Sequence, residues 1–137
     1  MWITYAILSA VFASLTAIFS KIGMDNINST LATAIRTIVV LAMAWMMVFV
    51  TGTHKGISQI GVRSWVFLVL SGVATGLSWL CYFKALQMGD VSKVVPIDKM
   101  SVIITMILAF VLLGEKADLK TIIGGAVVCI GTLIIAL

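Results

Sequence analysis

The chain has 137 residues, of which 62% are hydrophobic and 10% charged, and its formal net charge at pH 7 is +4. A soluble domain usually has about 45–50% apolar and about 25% charged residues, so this chain cannot supply a polar, water-facing surface. Its hydrophobicity excludes a disordered chain, and the lack of a basic cluster argues against nucleic-acid binding. The composition therefore predicts an integral membrane protein.

Five apolar runs follow one another along the chain, and the short segments between them hold most of the charged residues. Each run has about the 20 residues that a membrane-spanning helix needs, which leaves no length for a soluble domain. No run alternates apolar and polar residues as the strands of a membrane barrel do. We predict an all-α membrane protein, with one domain over residues 1–137 and helices at about residues 3–20, 31–50, 65–84, 94–113 and 121–137.

The sequence carries no catalytic signature. There is no nucleophile elbow, no phosphate-binding loop and no His/Cys cluster with metal-ligand spacing, so we predict neither an enzyme nor a cofactor. Cys81 and Cys129 lie inside apolar runs, as small packing residues do. A signal peptide has Lys or Arg before its apolar segment, and the first run here has neither. We therefore interpret the first run as a retained helix.

The cations are divided almost evenly between the two ends of the predicted helices. Membrane insertion places the end richer in Lys and Arg in the cytoplasm, and here neither end is clearly richer. Two interpretations stay open: one orientation set weakly by the N-terminus, or insertion in both orientations. The cations are Lys55, Arg63, Lys116 and Lys120 at the end that carries the N-terminus, and Lys21, Lys84 and Lys93 at the opposite end, with Arg36 and Lys99 deeper.

Three charged residues fall inside the predicted spans, where a charge costs about 2.5–3.5 kcal/mol or more near the bilayer centre. Arg36 lies eight residues after Asn28, the predicted N-cap, or roughly 12 Å along the second helix. Asp98 and Lys99 follow Pro96 near the start of the fourth helix. Asp98 would pair with Arg36 if these two helices meet. The alternative is that all three charges are interfacial residues at helix ends.

Hydroxyl groups recur at helical spacing in the first and third helices. One stripe of the first helix holds Ser9, Thr16 and Ser20. One face of the third helix holds Ser71, Thr75, Ser78 and Tyr82. A stripe of this kind either lines a wet cavity or packs against another helix. Trp79 and Tyr82 either belong to the interfacial aromatic belt or form walls of a binding site.

Two pairs of glycines favour close helix contacts. Gly72 and Gly76 form a GxxxG motif in the third helix, and Gly124 and Gly131 lie seven residues apart in the fifth. Small residues at such spacing let the backbones of two membrane helices approach closely. GxxxG alone is a frequent pattern.

The order and spacing of short motifs over nearly the whole chain resemble a single unit of the EamA family of the drug/metabolite transporter superfamily, in its five-helix bacterial and archaeal form. Asp98 and Lys99 are charged where the longer, two-unit relatives are usually apolar, so the substrates of those relatives do not transfer. The motifs are Ala-Ile-Arg at 34–36, Tyr-Phe-Lys-Ala-Leu at 82–86, Val-Pro-Ile at 95–97, Gly-Glu-Lys at 114–116, and the segment 124–131 with glycine at both ends.

The resemblance implies a secondary transporter of small metabolites in the cytoplasmic membrane of a bacterium or archaeon. The chain would form one half of an inverted-repeat fold with ten helices. One unit can build that fold by pairing with an oppositely inserted copy or paralogue, which the even distribution of cations allows. We therefore predict an antiparallel dimer without a nucleic-acid partner, in which Gly124 and Gly131 contribute to the dimer contact.

On this hypothesis the charged residues inside the spans bind substrate or couple transport to an ion gradient. Two cations against one acid favour an anionic or zwitterionic metabolite. The alternative hypotheses are a nontransporting subunit of a membrane complex, structural or lipid-handling, and a small channel. The candidate site residues are Arg36, Asp98, Lys99, Trp79, Tyr82, Ser78, Thr75 and Thr16.

Overall fold

The computed structural model describes all residues, 1–137, and forms helices joined by short connections, with no strand. Five segments are long and apolar enough to cross a membrane, which confirms the predicted all-α membrane fold. The helices are α1 (Trp2–Gly23), α2 (Ser29–Val50), α3 (Val62–Met88), α4 (Val91–Asp98), α5 (Ser101–Leu112) and α6 (Leu119–Ala136), with a 3₁₀ helix (Thr53–Gln59) between α2 and α3.

The turn between α1 and α2 is set by two asparagines. The side chain of Asn28 accepts a hydrogen bond from the amide of Thr30 at 2.8 Å, which confirms it as the N-cap of α2. Asn26 has a φ of 58°, in the left-handed region that Asn tolerates better than most residues. The chain therefore reverses direction within five residues.

The fourth span differs from the single helix predicted over residues 94–113. Pro96 has no amide hydrogen to donate to the carbonyl four residues earlier. Just after it, the amides of Lys99 and Met100 donate to the carbonyls of Pro96 and Ile97, only three residues back, each at 3.0 Å, and this tighter turn separates α4 from α5. Asp98 and Lys99 thus lie at a break in the span and not inside a continuous helix.

The chain packs as two units, Met1–Gln87 and Met88–Leu137. The first unit buries its core at one end of its helices, where the last turns of α1 and α3 meet the first turns of α2. No residue in segments 1–16 and 34–82 is buried, as expected of surfaces that face lipid or another subunit. The buried residues of this unit are Ala17, Ser20, Met24, Ser29, Ala32, Thr33, Phe83 and Leu86.

The second unit buries Gly125 and Thr132 of α6. A Cβ atom at Gly125 would lie 2.8 Å from the Cε atom of Met106, so the α5 side chain packs directly on the glycine. The Thr132 hydroxyl donates to the Val128 carbonyl at 2.8 Å, and the Pro96 carbonyl of α4 is a second acceptor at 3.4 Å. α6 therefore contacts both halves of the broken span.

The glycines predicted to form close contacts do not form them within the protomer. A Cβ atom at Gly72, Gly76, Gly124 or Gly131 would have no heavy atom within 4 Å. Gly72 and Gly76 instead line an open groove between α2 and α3. In α6 the glycine that packs within the protomer is Gly125, against the side chain of Met106, and the dimer contact of Gly124 and Gly131 stays a prediction.

Candidate functional site

The candidate site is centred on Arg36, a half-buried cation in the second turn of α2. Its guanidinium carbon lies 4.0 Å from the ring centroid of Phe83 and 5.8 Å from that of Trp79. Trp79 and Phe83 are four residues apart, so α3 presents both rings on one face. The two rings hold the cation by its attraction to the negative ring faces, an interaction worth about 0.5–2 kcal/mol.

One nitrogen of this guanidinium lacks a partner. Nη1 of Arg36 is buried and makes no hydrogen bond. A buried donor without an acceptor is unfavourable by about 1–3 kcal/mol, more when the group is charged. Asp25, in the α1–α2 turn, is the one acidic residue of the first unit, and it lines a different cavity beside Lys21. Arg36 therefore offers a charged donor that its own unit does not satisfy.

A cavity between α1 and α2 gives access to this arginine. Its volume is about 340 Å³, and Thr16 and Ser20, one turn apart on α1, line it together with Arg36. The other lining side chains are apolar and include Phe19 and Ile35. The cavity thus combines one positive charge and two hydroxyl groups with apolar walls, which suits a small ligand that has one polar end.

The end of α3 is tied to the α1–α2 turn by two polar side chains. The ammonium group of Lys21 donates to the carbonyl of Leu86 at 2.6 Å, with the Gln87 carbonyl at 3.5 Å. The amide group of Gln87 donates to the carbonyls of Ile27 and Met24. A helix ends with carbonyls that have no partner in the helix, and a cation placed there also interacts favourably with the helix dipole. We call Lys21 and Gln87 the clamp, because they fix the aromatic face of α3 beside α2.

The groove between α2 and α3 has a different character. It has a volume of about 700 Å³ and contains no charged residue. The hydroxyls of Thr33, Thr37 and Thr75 each donate to the carbonyl four residues earlier in their own helix, at 2.7–2.8 Å. Trp79 is one of the residues that line this groove, and its ring also lies 5.8 Å from the guanidinium carbon of Arg36.

The remaining candidates of the first unit are placed as follows. The ring of Tyr82 meets that of Phe83 edge-on at 5.1 Å, so Tyr82 supports the aromatic face. Ser78 is exposed on α3, and Thr75 is exposed on the wall of the groove. Arg36, Trp79 and Thr16 are thus close to one cation site, while Thr75 lies in the neighbouring groove.

The other charged candidates lie in the second unit, at the break between α4 and α5. The carboxylate of Asp98 is 3.8 Å from the ammonium group of its neighbour Lys99, and both side chains are partly exposed. Ion pairs at this exposure contribute little to stability, about 0–1 kcal/mol. The pairing of Asp98 with Arg36 stays a prediction.

One residue of the site was missed from the sequence, Phe83, which lies against the guanidinium. It follows Trp79 by four positions, so helical periodicity was the signal that would have found it. Ser20, which lines the cavity, belongs to the hydroxyl stripe that the sequence places on the first helix with Thr16.

Comparison with known proteins extends over the whole chain. Residues 1–137 match the EamA-like transporter family. The chain is 47% identical over 135 residues to a Sinorhizobium protein described as an uncharacterized transporter in the cobO 3' region, covering 98% of this chain and 96% of that relative. No solved structure matches the chain.

Proposed function

Since the chain belongs to the EamA-like transporter family, we propose that it is a secondary transporter that moves small metabolites by alternating access, with Arg36 in contact with the substrate. In inverted-repeat transporters the substrate binds near the bilayer centre, between the two repeats. The observation that carries the proposal is the cavity of about 340 Å³ that Arg36 lines together with Thr16 and Ser20, and the unsatisfied Nη1 donor of the same arginine is consistent with it.

A purely structural arginine would satisfy its donors within the protein. Charged groups within membrane spans are rare, and structural ones pair with other charges or with carbonyls. Arg36 has aromatic neighbours, which hold its position but accept few hydrogen bonds. This arrangement supports an acceptor that is present only when a substrate is bound.

The transporting form that we propose is an antiparallel homodimer, or a dimer with an oppositely oriented paralogue. Five spans are half of the ten that two fused inverted units would have. The even distribution of cations permits both orientations. The unburied segment 34–82 of the first unit, and the uncontacted glycines Gly124 and Gly131 of α6, leave surface for a second copy. We place the dimer in the cytoplasmic membrane of a bacterium or archaeon.

Asp98 is the group that we propose to couple transport to an ion gradient. Broken helices in transporters carry ion sites, because the ends of the two half-helices at a break expose carbonyl and amide groups. Asp98 is the last residue of α4 and the one acid at the break, and Lys99 beside it supplies a competing cation. A proton or metal ion that binds Asp98 would release Lys99, which links the charge of this site to ion binding.

Reconstituted vesicles test the proposal directly. The purified protein is placed in vesicles and offered radiolabelled organic cations, amino acids, sugars and carboxylates, one class at a time. We expect saturable uptake of at least one class, reduced at least tenfold by Arg36→Ala. Arg63→Ala is the matched control, since Arg63 also lies over a ring, that of Phe67 at 5.9 Å, but is exposed at the start of α3.

The coupling role of Asp98 has its own readout. We expect Asp98→Asn to abolish accumulation against a gradient while exchange of labelled for unlabelled substrate continues. Loss of both activities to the same extent in a folded variant would contradict the coupling role. Lys99→Gln serves as the companion variant, because it removes the competing cation and keeps the carboxylate.

The back-bonded hydroxyls of the α2–α3 groove favour a second candidate function, a nontransporting subunit of a membrane complex. In such a protein these hydroxyls would be packing surface. Cysteines placed at Ser71, Thr75 and Ser78 distinguish the two functions. Uniform resistance to water-soluble thiol reagents, with no saturable uptake of any class, would favour the subunit.

A further inference from the structure

The Arg36 cavity has the chemistry of a site for a small organic anion. It holds one positive charge and no acidic residue, so a bound cation would be repelled and a neutral ligand would leave the guanidinium charge uncompensated. A carboxylate accepts two parallel hydrogen bonds from a guanidinium, and such charged pairs are about twice as strong as neutral ones. A monoanion balances the single cation, whereas a dianion would leave one charge in excess.

The surroundings of the guanidinium support this choice. Its carbon lies 4.0 Å from the centroid of the Phe83 ring, and an aromatic ring attracts a cation but is a poor hydrogen-bond acceptor. The buried Nη1 atom has no hydrogen-bond partner in the chain. Arg36 lines the cavity together with Thr16 and Ser20, whose hydroxyl groups are further donors.

The rest of the cavity defines the other end of the ligand. Phe19, Met24, Ile27 and Ile35 form apolar walls. The volume of about 340 Å³ is near the lower limit of ligand sites, which span roughly 300–1,000 Å³. This space fits a compact apolar tail better than a polyhydroxylated or multiply charged body.

We infer that the cavity between α1 and α2 binds a compact monocarboxylate, with its carboxylate on Arg36 and its hydrocarbon end against the apolar walls. The inference rests on the proposed transport function and names its substrate class. Thr16 and Ser20 assist by donating to the carboxylate.

Binding to the full-length protein in lipid nanodiscs tests the inference with four small probes. Butyrate is compared with butyramide, which is nearly isosteric and neutral, with butylammonium, which reverses the charge, and with succinate, which doubles it. Affinity is measured by ligand-induced thermal stabilisation, since a ligand that binds the folded state raises its stability in proportion to the logarithm of its concentration. We expect saturable binding of butyrate, at least tenfold tighter than that of the other three probes.

Variants assign the binding to the cavity. Arg36→Gln should weaken butyrate about tenfold to hundredfold, as expected for loss of a charged hydrogen bond. Arg36→Lys keeps the charge but not the paired donors, so its affinity for butyrate should lie between that of the wild type and that of Arg36→Gln. Ser20→Ala keeps the charge and should weaken butyrate about twofold to tenfold. Arg63→Gln is the control and should bind as the wild type does.

Two results would overturn the inference: equal binding of butyrate and butyramide, or unchanged butyrate affinity in Arg36→Gln. Should Arg36→Gln fail to fold, Ser20→Ala and the comparison of probes decide the question. Failure of the transport proposal is seen separately. Saturable, Arg36-dependent uptake of another class without butyrate binding removes the monocarboxylate and retains the transporter, whereas butyrate binding without uptake of any class removes the transporter and retains the site.

Discussion

The clamp at the end of α3 makes a quantitative prediction about Lys21. Lys21→Met keeps an apolar stem of similar length but removes the 2.6 Å bond to the Leu86 carbonyl. Hydrogen bonds to charged groups contribute about 1.5–3 kcal/mol, and Leu86 is fully buried, so its carbonyl has little access to another donor. We expect the free energy of unfolding to fall by about 2 kcal/mol, or roughly thirtyfold in the unfolding equilibrium constant.

Lys84→Met is the matched control. Lys84 lies in the same final turns of α3 but is exposed, so its replacement should change the free energy of unfolding by less than about 0.5 kcal/mol. Both variants are unfolded by SDS titration in mixed micelles and followed by circular dichroism. Amide hydrogen exchange in the α1–α2 turn should accelerate in Lys21→Met and not in Lys84→Met. Equal loss of stability in the two variants would show that charge at this end matters and the specific bond does not.

Adjacent glycines in α6 provide a second prediction: Gly125→Leu should destabilise the protomer by about 1–3 kcal/mol because the new side chain meets Met106, whereas Gly124→Leu enters open space within the protomer and should leave the stability of the monomer unchanged. Thermal melting in detergent compares the two, and partial rescue of Gly125→Leu by Met106→Ala is required. Asn28→Ala should cost about 1 kcal/mol through loss of the N-cap, while Asn28→Ser retains most of it. Asn26→Ala should cost about 1 kcal/mol and Asn26→Gly should not, as judged from chemical denaturation, because only the alanine is strained at a φ of 58°.

The five spans could be predicted because a span is recognised from hydrophobicity averaged over its whole length. A run of about 20 apolar residues stands out whatever its details, and the five runs were found from hydrophobicity and charge alone. The break in the fourth span is a local event inside such a run. Pro96 and the charged pair Asp98–Lys99 lie at this break, but the run is hydrophobic enough across it that the sequence predicted a single helix.

The rotation of each helix about its axis was harder to predict. Soluble helices reveal their buried face by an apolar stripe, but a membrane helix is apolar all round. This is why the contact between Gly125 and Met106 could not be predicted. Charged residues do not depend on this rotation, since an arginine inside a span stands out on any face, and Arg36 could be proposed as a candidate without knowledge of the rings around it.

The back-bonded threonines of the α2–α3 groove have a consequence for its surroundings. The hydroxyl hydrogens of Thr33, Thr37 and Thr75 are already committed to backbone carbonyls. These side chains therefore present to a neighbour only methyl groups and oxygen lone pairs, and the hydrogen bonds that they donate are kept when water leaves the groove. A lipid tail, a neighbouring helix and water can replace one another here without stranding a donor. Such a surface tolerates repeated wetting and drying, which a wall that faces a changing environment must withstand.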